Sequence, residues 1–297
     1  MMMAAISMQD HFYQMVDGRH GRFLVNPNDT YIGSSLIAYG EWGDAEVRLF
    51  NRLLQAGDVV IEVGANIGSH TVPISKAVGP TGAVHAFEPQ RLVHQLLNAN
   101  LALNDCVNVF PQRKAVGRSI GYVDICDVSP NHSMNYGNVT VGVVYDMDWR
   151  MENVPLISVD TLTLPRVDFL KIDAEGMDLQ VLEGAVETLN AHRPVVFVET
   201  TSSNAAEMSA FFSAHGYTAY WYGTTLFDEQ NFRGNSKNIW SEPGKDIVLV
   251  SADILALPTN MGWSVEGLLR FEEVTNWSAL PIDLNNYRSG LTIQRRP

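Results

Sequence analysis

Hydrophobic and polar positions along the chain follow two alternating periods. A short apolar run rich in β-branched residues occurs at 59–63 and predicts a strand that is buried on both faces. Two further short segments, at 83–87 and 167–172, also predict strands. Between these two segments, apolar residues recur every three to four positions from Leu92 to Leu101, which predicts an amphipathic helix. This alternation predicts an α/β fold with a mostly parallel sheet.

The same patterns predict further elements on both sides of this region. Residues 1–20 show no clear period, and we expect them to be partly disordered or to form a short helix. A turn is expected at 26–29 because Asn and Asp side chains bond their own backbone there. The remaining predicted elements are strands at 21–25, 107–110, 121–125, 139–144, 195–198, 217–222 and 246–250, and helices that begin near Asp44 and cover 179–189 and 205–214.

One stretch combines a buried strand, a glycine loop and an acid. Residues 57–70 pass from the strand into a loop that contains Gly64 and Gly68, where a ligand can approach the backbone closely. Glu88 ends the next strand, at the distance at which an acid can accept hydrogen bonds from both hydroxyls of a ribose. We therefore predict a nucleoside-binding βαβ unit.

The loop lacks the central glycine of a dinucleotide site. Such a site needs Gly-x-Gly-x-x-Gly to hold a pyrophosphate at a helix N-terminus, whereas Asn66 stands where the second glycine would be. Glu62, in the preceding strand, would repel a phosphate and suits an ammonium group. S-adenosylmethionine (SAM) carries a ribose, an ammonium and a sulfonium but no phosphate, and it therefore fits the loop better than NAD.

In this loop and in six further segments, the chain resembles the FkbM family of class I SAM-dependent methyltransferases. The matching segments lie in order at 21–23, 28–33, 39–42, 57–70, 86–89, 135–137 and 168–176. The resemblance implies a Rossmann-like, seven-stranded, mostly parallel sheet with helices on both faces, whose last two strands pair antiparallel. We expect an N-terminal cover segment and helix at 1–56, a methyltransferase domain at 57–255 with a β-hairpin-like insertion at about 118–160, and a C-terminal extension at 256–297.

In such sheets the ligand binds beyond the carboxyl ends of the strands, and most candidate residues lie there. The turn that begins at Ala115 and Val116 would pass over the adenine. The predicted cofactor-binding residues are Glu62, Gly64, Ala65, Asn66, Gly68, Glu88, Pro89, Ala115, Val116 and Asp173.

The catalytic candidates lie mainly after the strand at 167–172. An unpaired lysine in a buried sheet is costly, so Lys171 is expected to pair with a nearby carboxylate. The pair could be purely structural, or it could orient Asp173 or Glu175 towards the cofactor or acceptor. For the base that takes the acceptor proton, we rank Asp173 first, His132 second and His70 third. His70 could instead cap its helix.

Substrate contacts are expected from loops on the rigid scaffold. Candidates are Tyr39, Glu41, His132, Asn135, Tyr136 and Glu199, although Tyr39 could equally be a packing residue and Glu41 or His132 merely solvated. Asp173 and Glu199 could offer two oxygens to Mg²⁺. Because no third protein ligand can be identified from the spacing, we expect no metal.

Composition and charge narrow the range of expected partners and cellular compartments. The 297-residue chain has a formal net charge of −13, which disfavours nucleic acid and anionic membranes as partners. Cys106 and Cys126 cannot form a disulfide framework, the first residues lack the basic start of a secretory signal, and no apolar window reaches the ~18 residues of a transmembrane helix. We therefore expect a cytoplasmic protein.

We expect an O-methyltransferase that acts on a hydroxyl of a sugar, glycolipid or secondary metabolite, with a small-molecule or glycan acceptor as its partner. The sequence leaves the oligomeric state open, and a homo-oligomer is one option. One alternative is a catalytically silent protein or partner subunit that binds SAM or another nucleoside. The other is an NAD-dependent oxidoreductase, which the missing central glycine disfavours.

Overall fold

The computed structural model of the chain describes residues 12–145, 149–200, 204–241, 250–271 and 291–295. The first part contains a hairpin, short helices and three strands of the central sheet. In chain order its elements are β1 (Gln14–Gly18), β2 (Gly21–Val25), α1 (Ile32–Tyr39), α2 (Asp44–Leu53), β3 (Val59–Val63), α3 (Thr71–Val78), β4 (Ala83–Phe87), α4 (Arg91–Leu103) and β5 (Val109–Gln112).

The rest of the chain adds an insertion and completes the sheet. The insertion holds β6 (Ala115–Val116), β7 (Gly121–Asp127), β8 (Arg150–Ile157) and a 3-10 helix at Val159–Leu162. There follow β9 (Phe169–Ile172), α5 (Asp178–Glu183), α6 (Val186–His192), β10 (Val195–Glu199), α7 (Ala205–Ala214), β11 (Tyr217–Thr225), β12 (Val250–Pro258), β13 (Trp263–Glu266) and β14 (Thr292–Arg295). Among the described residues, no helix has the length and apolar character needed to cross a lipid bilayer.

The central sheet has seven strands in the order β11-β12-β10-β9-β3-β4-β5. Five neighbouring strands, β10 to β5 in this order, run parallel, and β12 is antiparallel to both β10 and β11. This confirms the predicted seven-stranded, mostly parallel Rossmann-like sheet with an antiparallel last pair. The chain leaves β3 for β4 on one side and later returns to β9 on the other, so the switch point where ligands bind lies between β3 and β9.

Helices cover both faces of this sheet, as its apolar strands require. Val60 and Ile61 are adjacent in β3 and point to opposite faces. Val60 belongs to a core that includes Leu97 of α4. Ile61 belongs to a second core that includes Met208 of α7. The strands are therefore buried on both sides, which is why they appear in the sequence as continuous apolar runs.

The insertion contains the hairpin that we predicted, but its second strand is a different one. β7 pairs antiparallel with β8, from the Gly121–Leu156 pair to the Asp127–Arg150 pair. The prediction of a strand at 139–144 is wrong. Val139 and Val141 lie in a loop and face the cleft described below, so their apolar pattern comes from packing of that loop.

Three further predictions need correction. The segment before β2 forms β1, which pairs with β2, where we expected disorder or a short helix. The third strand begins at Val109, two residues later than expected. The helix expected at 179–189 is two helices, separated by residues 184 and 185. A Cβ on Gly184 would lie 2.1 Å from the Gly117 carbonyl oxygen, so the backbone is tightly packed at this break.

Helix α1 was not predicted from the sequence. Its start is held by the Asp29 carboxylate, which accepts hydrogen bonds from the backbone N–H groups of Tyr31 (3.1 Å) and Gly33 (2.9 Å). Asp29 was expected to form a turn, and it does so while also capping this helix. Of the strand expected at 246–250, residues 246–249 lie outside the described residues, and β12 is described from Val250 to Pro258.

Candidate active site

A deep cleft opens beyond the carboxyl ends of the central strands. It runs from Glu88 and Val116, on the β4 and β5 side, past Asp173 to Glu46 and Asp253. Glu88 follows β4 and Asp253 lies in β12, four strand spacings away, so the cleft extends over about 19 Å at the usual spacing of ~4.8 Å. Its empty volume out to the open mouth is about 1280 Å³.

Glu88 lies at one end of the cleft, where two backbone N–H groups hold its carboxylate. Its Oε2 atom accepts a hydrogen bond from the Asn66 backbone N–H (3.1 Å), and its Oε1 atom accepts one from the Gln90 backbone N–H (2.9 Å). Burial raises the pKa of Glu88 to about 7, although these two hydrogen bonds oppose the rise. Ala115 and Val116 form a buried apolar wall beside it.

Gly64 lies in the floor of the cleft, where its backbone passes close to the loop after β9. Its backbone is in the left-handed region, at φ +78°, and a Cβ there would lie 1.8 Å from the Asp173 carbonyl oxygen. The close approach of the loop after β9 therefore requires a glycine at position 64, whether or not a ligand is bound. Above this floor, a Cβ on Gly137 would lie 3.1 Å from Asn135 and 3.4 Å from Asn66. The loop that carries Asn135 thus lies over the glycine loop.

Lys171 is the centre of a buried charge network in the wall of the cleft. Its Nζ atom lies 3.2 Å from Asp173 Oδ2, and the lysine is 2% exposed. This pairing confirms the expectation that Lys171 reaches a carboxylate. Burial opposes the charge of Lys171, but the carboxylates of Asp173, Glu62 and Glu46 outweigh burial and raise its pKa.

Glu62 neighbours Lys171 across the β3–β9 pairing. The residue is fully buried, and within the described part of the chain neither carboxylate oxygen has a hydrogen-bond partner. The Thr71 hydroxyl lies close enough to lower the pKa of Glu62 without the alignment of a hydrogen bond. Burial nevertheless raises this pKa to about 7. An acid kept in such a position is unusual, because buried polar groups are nearly always paired.

Three carboxylates meet at the middle of the cleft. Asp173, Glu175 and Glu199 each have an oxygen within 4.8 Å of the others. Burial disfavours the charge of Asp173, but Lys171 outweighs burial and lowers its pKa. Burial and the charge of Asp173 raise the pKa of Glu175 to about 8 and that of Glu199 well above its usual range.

Glu175 is the third carboxylate of this cluster, and its spacing in the sequence did not reveal it as a candidate metal ligand. Glu175 turns back towards Asp173 because its backbone is left-handed, at φ 43°, and no spacing rule predicts such a turn. The Lys171 ammonium already neutralises Asp173 at 3.2 Å. A divalent cation would have to compete with it, so the expectation of a metal-free site stays a prediction.

Glu46 of α2 enters the other end of the cleft. Its Oε2 atom lies 3.4 Å from His70 Nε2, and its Oε1 atom accepts a hydrogen bond of 3.4 Å from the Thr224 hydroxyl. Burial raises the pKa of Glu46 to about 7, against the opposing effect of Lys171. Burial lowers the pKa of His70 to about 3, and Lys171 adds to this. His70 is therefore neutral at pH 7. Its side chain makes no capping hydrogen bond to α3.

Most of the sequence-predicted residues line this one cleft. Those brought together are Gly64, Asn66, His70, Glu88, Pro89, Ala115, Val116, Asn135, Lys171, Asp173, Glu175 and Glu199. Glu62, Ala65 and Gly68 lie behind the lining, in the strand and loop that support it.

Four predicted substrate residues do not line the cleft. Tyr39 is buried among rings, including that of Trp240, and its hydroxyl donates to the Lys237 carbonyl (3.1 Å). Glu41 pairs with Arg19 at 2.7 Å in a separate groove. The His132 ring packs edge-on against Trp149, and the Tyr136 hydroxyl bonds backbone carbonyls of its own loop.

Several residues of the cleft could not be predicted from the sequence, among them Trp42, Glu46, Phe197, Leu226 and Asp253. A usable signal existed for Glu46, since it lies four residues before Phe50 and therefore on the apolar face of α2. An acid on the buried face of a helix is a reason to look for a site. Asp253 gave no such signal, because the strand predicted from the sequence ended at residue 250 and left Asp253 outside it.

Several solved structures are similar in outline to the chain. Precorrin-6y C5,15-methyltransferase from Geobacter metallireducens is 14% identical with a TM-score of 0.43, over 72% of this chain and 87% of that chain. Methyltransferase FkbM from Methylobacillus flagellatus is 13% identical with a TM-score of 0.43, over 70% and 50%. M. jannaschii TYW2 in complex with AdoMet is 12% identical with a TM-score of 0.44, over 86% and 90%. None of these likenesses bears on the acceptor of this chain.

No curated protein matches the chain significantly. The profile of the methyltransferase FkbM domain, however, matches residues 62–219, which is more than half of the sequence. The matched region begins at Glu62 and contains the glycine loop, Glu88 and the three-carboxylate cluster described above. The chain belongs to the FkbM family of SAM-dependent methyltransferases.

Proposed function

We propose that this protein transfers the methyl group of SAM to a hydroxyl oxygen of a small acceptor, such as a sugar, a glycolipid or a secondary metabolite. The observation that carries the proposal is the cleft with two unlike ends. Glu88 and an apolar wall lie at one end, and a second set of polar groups, Glu46, His70 and Asp253, lies at the other. A donor and an acceptor must lie side by side for transfer, and the two ends of this cleft offer separate polar groups to each.

The residues at the Glu88 end fit the nucleoside part of SAM. Each oxygen of Glu88 accepts one backbone hydrogen bond, which leaves lone pairs for two ribose hydroxyls. The adenine can pack on Ala115 and Val116. The ammonium group of SAM suits the Asp173 carboxylate at the cleft surface, with the buried charge of Glu62 behind it. We therefore propose Glu88, Asp173 and the 64–68 loop as the main cofactor contacts.

SAM, when bound, supplies an electrophilic methyl group. The contribution of the chain is to hold the acceptor oxygen roughly 3 Å from that carbon and in line with the sulfur, which is catalysis by proximity. Lys171 keeps Asp173 charged, and the loop with Asn135 covers the floor of the cleft and limits entry of water. Asn135 and Glu199 are the predicted substrate residues that we retain as acceptor contacts, because both line the cleft.

The charge of the cleft favours a hydroxyl acceptor without phosphate. The lining contains six acidic side chains, Glu46, Glu88, Asp173, Glu175, Glu199 and Asp253, against Lys114 and Lys171. Ionised carboxylates such as that of Asp173 repel phosphates, and carboxyl groups in either protonation state form hydrogen bonds with hydroxyl groups. The cysteines Cys106 and Cys126 are both free and buried, which agrees with a reducing compartment such as the cytoplasm.

The test uses SAM with a ¹³C-labelled methyl group and a small-molecule extract of cells as the source of acceptors. Labelled products that carry a methyl ether, detected by NMR, are expected. Labelled products with the methyl on nitrogen would contradict the hydroxyl acceptor. SAM binding without any transfer would instead support the catalytically silent alternative, and displacement of SAM by NAD would support the oxidoreductase.

A further inference from the structure

Transfer to a hydroxyl requires a group that takes the hydroxyl proton, and several carboxylates in the cleft are already engaged. Asp173 is bonded to Lys171 at 3.2 Å. Glu199 is hydrogen-bonded to Asp173, which favours the protonated form of Glu199. Asp253 accepts a hydrogen bond of 2.9 Å from the Ser251 hydroxyl, and burial together with the charge of Glu46 raises the pKa of Asp253 well above its usual range, which favours its protonated form. These carboxylates are held by their neighbours and are poorly suited to take a proton from an acceptor.

Glu46 is held in a different way. Among the described residues, its two oxygens have the long contacts at 3.4 Å to His70 Nε2 and to the Thr224 hydroxyl, so each keeps capacity to accept a further hydrogen bond. The residue is 6% exposed and lines the cleft. It comes from α2, which precedes the region matched by the family profile.

The sheet order puts Glu46 on the acceptor side. It contacts Thr224 of β11, at the far edge from β4 and β5, whereas Glu88 follows β4. With the nucleoside at Glu88, the acceptor must enter between the donor and the β10–β12 side. That space is bordered by Phe197, Leu226 and Glu46.

We propose that Glu46 is the catalytic base that removes the proton from the acceptor hydroxyl. This inference rests on the proposed function and replaces Asp173, which the sequence favoured, in that role. The acceptor oxygen forms a bond to the methyl carbon as the carbon–sulfur bond breaks. The electron pair of that bond stays on sulfur, which gives neutral S-adenosylhomocysteine. The hydroxyl proton moves to the Glu46 carboxylate and later to solvent.

The surrounding fold holds α2 against the sheet so that Glu46 keeps its position. The Tyr222 hydroxyl donates a hydrogen bond of 2.8 Å to the Ala45 carbonyl, next to Glu46. His70 packs closely against the turn before α2, where a Cβ on Gly43 would lie 2.5 Å from His70 Nε2. His70 is thus a positioning residue.

The protonation of Glu46 suits this role. Burial raises its pKa to about 7, and a general base works best with a pKa near the operating pH. The titratable groups that face it are Lys171 and Asp173 from β9 and the loop after it, His70 from the start of α3, Tyr222 from β11, and Asp253 from β12. Because the base must be ionised, the rate should rise with pH through about 7 and then level off.

The first experiment uses SAM and S-adenosylhomocysteine as probes and needs no acceptor. Calorimetric titrations at pH 7, in buffers of different ionisation enthalpy, give the number of protons released on binding. The sulfonium charge of SAM should lower the pKa of Glu46. A shift from about 7 to about 6 would release about 0.4 proton more with SAM than with S-adenosylhomocysteine. Glu46→Gln should abolish this part of the difference.

The control is Glu207→Gln. Glu207 is the third residue of α7, as Glu46 is of α2, but it is exposed, so this variant should match the wild type. An unchanged proton difference in Glu46→Gln would show that Glu46 does not face the sulfonium and would overturn the proposal.

The second experiment measures transfer of the labelled methyl group into the cell extract, from pH 5.5 to 8.5 and with SAM saturating. Glu46→Gln should bind SAM within about threefold of the wild type, lose roughly 10²–10⁴-fold in rate and lose the rise through pH 7. Glu46→Asp should recover part of the rate and the rise. A rate within threefold of the wild type in Glu46→Gln, or an unchanged pH profile, would overturn the proposal. No transfer by the wild type would refute the proposed function instead, while the proton measurement would still report on Glu46.

Discussion

The buried carboxylate of Glu62 predicts that the protein without cofactor becomes less stable as pH rises. Burial raises its pKa from an ordinary 4.5 to about 7. Below pH 4.5 the group is neutral in both the folded and the unfolded chain. Between pH 4.5 and 7 the unfolded chain releases this proton while the folded chain keeps it, so the free energy of unfolding falls. Above pH 7 the loss is complete.

The substitution Glu62→Gln isolates this effect, because glutamine has the shape of the neutral acid and no proton to lose. At about 1.36 kcal/mol per pKa unit, a shift from 4.5 to about 7 amounts to about 3 kcal/mol. Most of this loss of stability occurs between pH 5 and pH 8. The free energy of unfolding of Glu62→Gln, measured relative to that of the wild type, should therefore rise by about 2.5 kcal/mol from pH 5 to pH 8. The residue is fully buried, so solvent does not screen this effect.

Urea unfolding at pH 5 and pH 8, without SAM, measures this difference. Glu207→Gln, on the surface, should show the same small difference from the wild type at both values. A stability difference between Glu62→Gln and the wild type that does not change with pH would refute the reasoning, since it would mean that the carboxylate has partners that hold its pKa near 4.5. The gain in stability should come with weaker SAM binding, because a cofactor cation compensates the buried charge only when Glu62 is present.

Three other predictions concern the cleft. Glu88→Ala should weaken SAM binding by roughly tenfold to several hundredfold, because two charge-assisted bonds of about 1.5–3 kcal/mol each are lost with some overlap; an unchanged Kd in calorimetry would mean that the ribose is held elsewhere. Activity should survive EDTA, since Lys171 already neutralises Asp173; abolition by EDTA with rescue by Mg²⁺ would show that a metal is required. Asp173→Asn should weaken SAM binding, yet with SAM saturating it should lower kcat by less than Glu46→Gln does. An equal or larger loss of kcat would restore Asp173 as the base.

The fold could be predicted well from the sequence because the period of apolar residues reports burial directly. β3, β4 and β10 are short apolar runs buried on both faces, and α4 and α7 each have one apolar face, so their positions were clear. The pattern failed where burial has another cause. Val139 and Val141 are apolar because they face the cleft from a loop, and this imitates a strand.

The candidate site could be predicted only where one local segment carries it. The glycine loop and Glu88 belong to one βαβ unit, and Lys171 with Asp173 belong to one strand end, so spacing was sufficient. Glu46 reaches the cleft from a helix in the cover segment, and its partner Thr224 is far away in the sequence. Such contacts depend on how α2 packs on β11, which no local pattern specifies.

The most direct measurement of the central claim is a crystal structure of the protein with S-adenosylhomocysteine. In that structure, both ribose hydroxyls should lie within hydrogen-bond distance of Glu88, with the adenine against Val116. The sulfur should lie beyond Asp173, on the side that faces Glu46. A nucleoside bound between Glu46 and Asp253, with Glu88 free of ligand, would contradict the account.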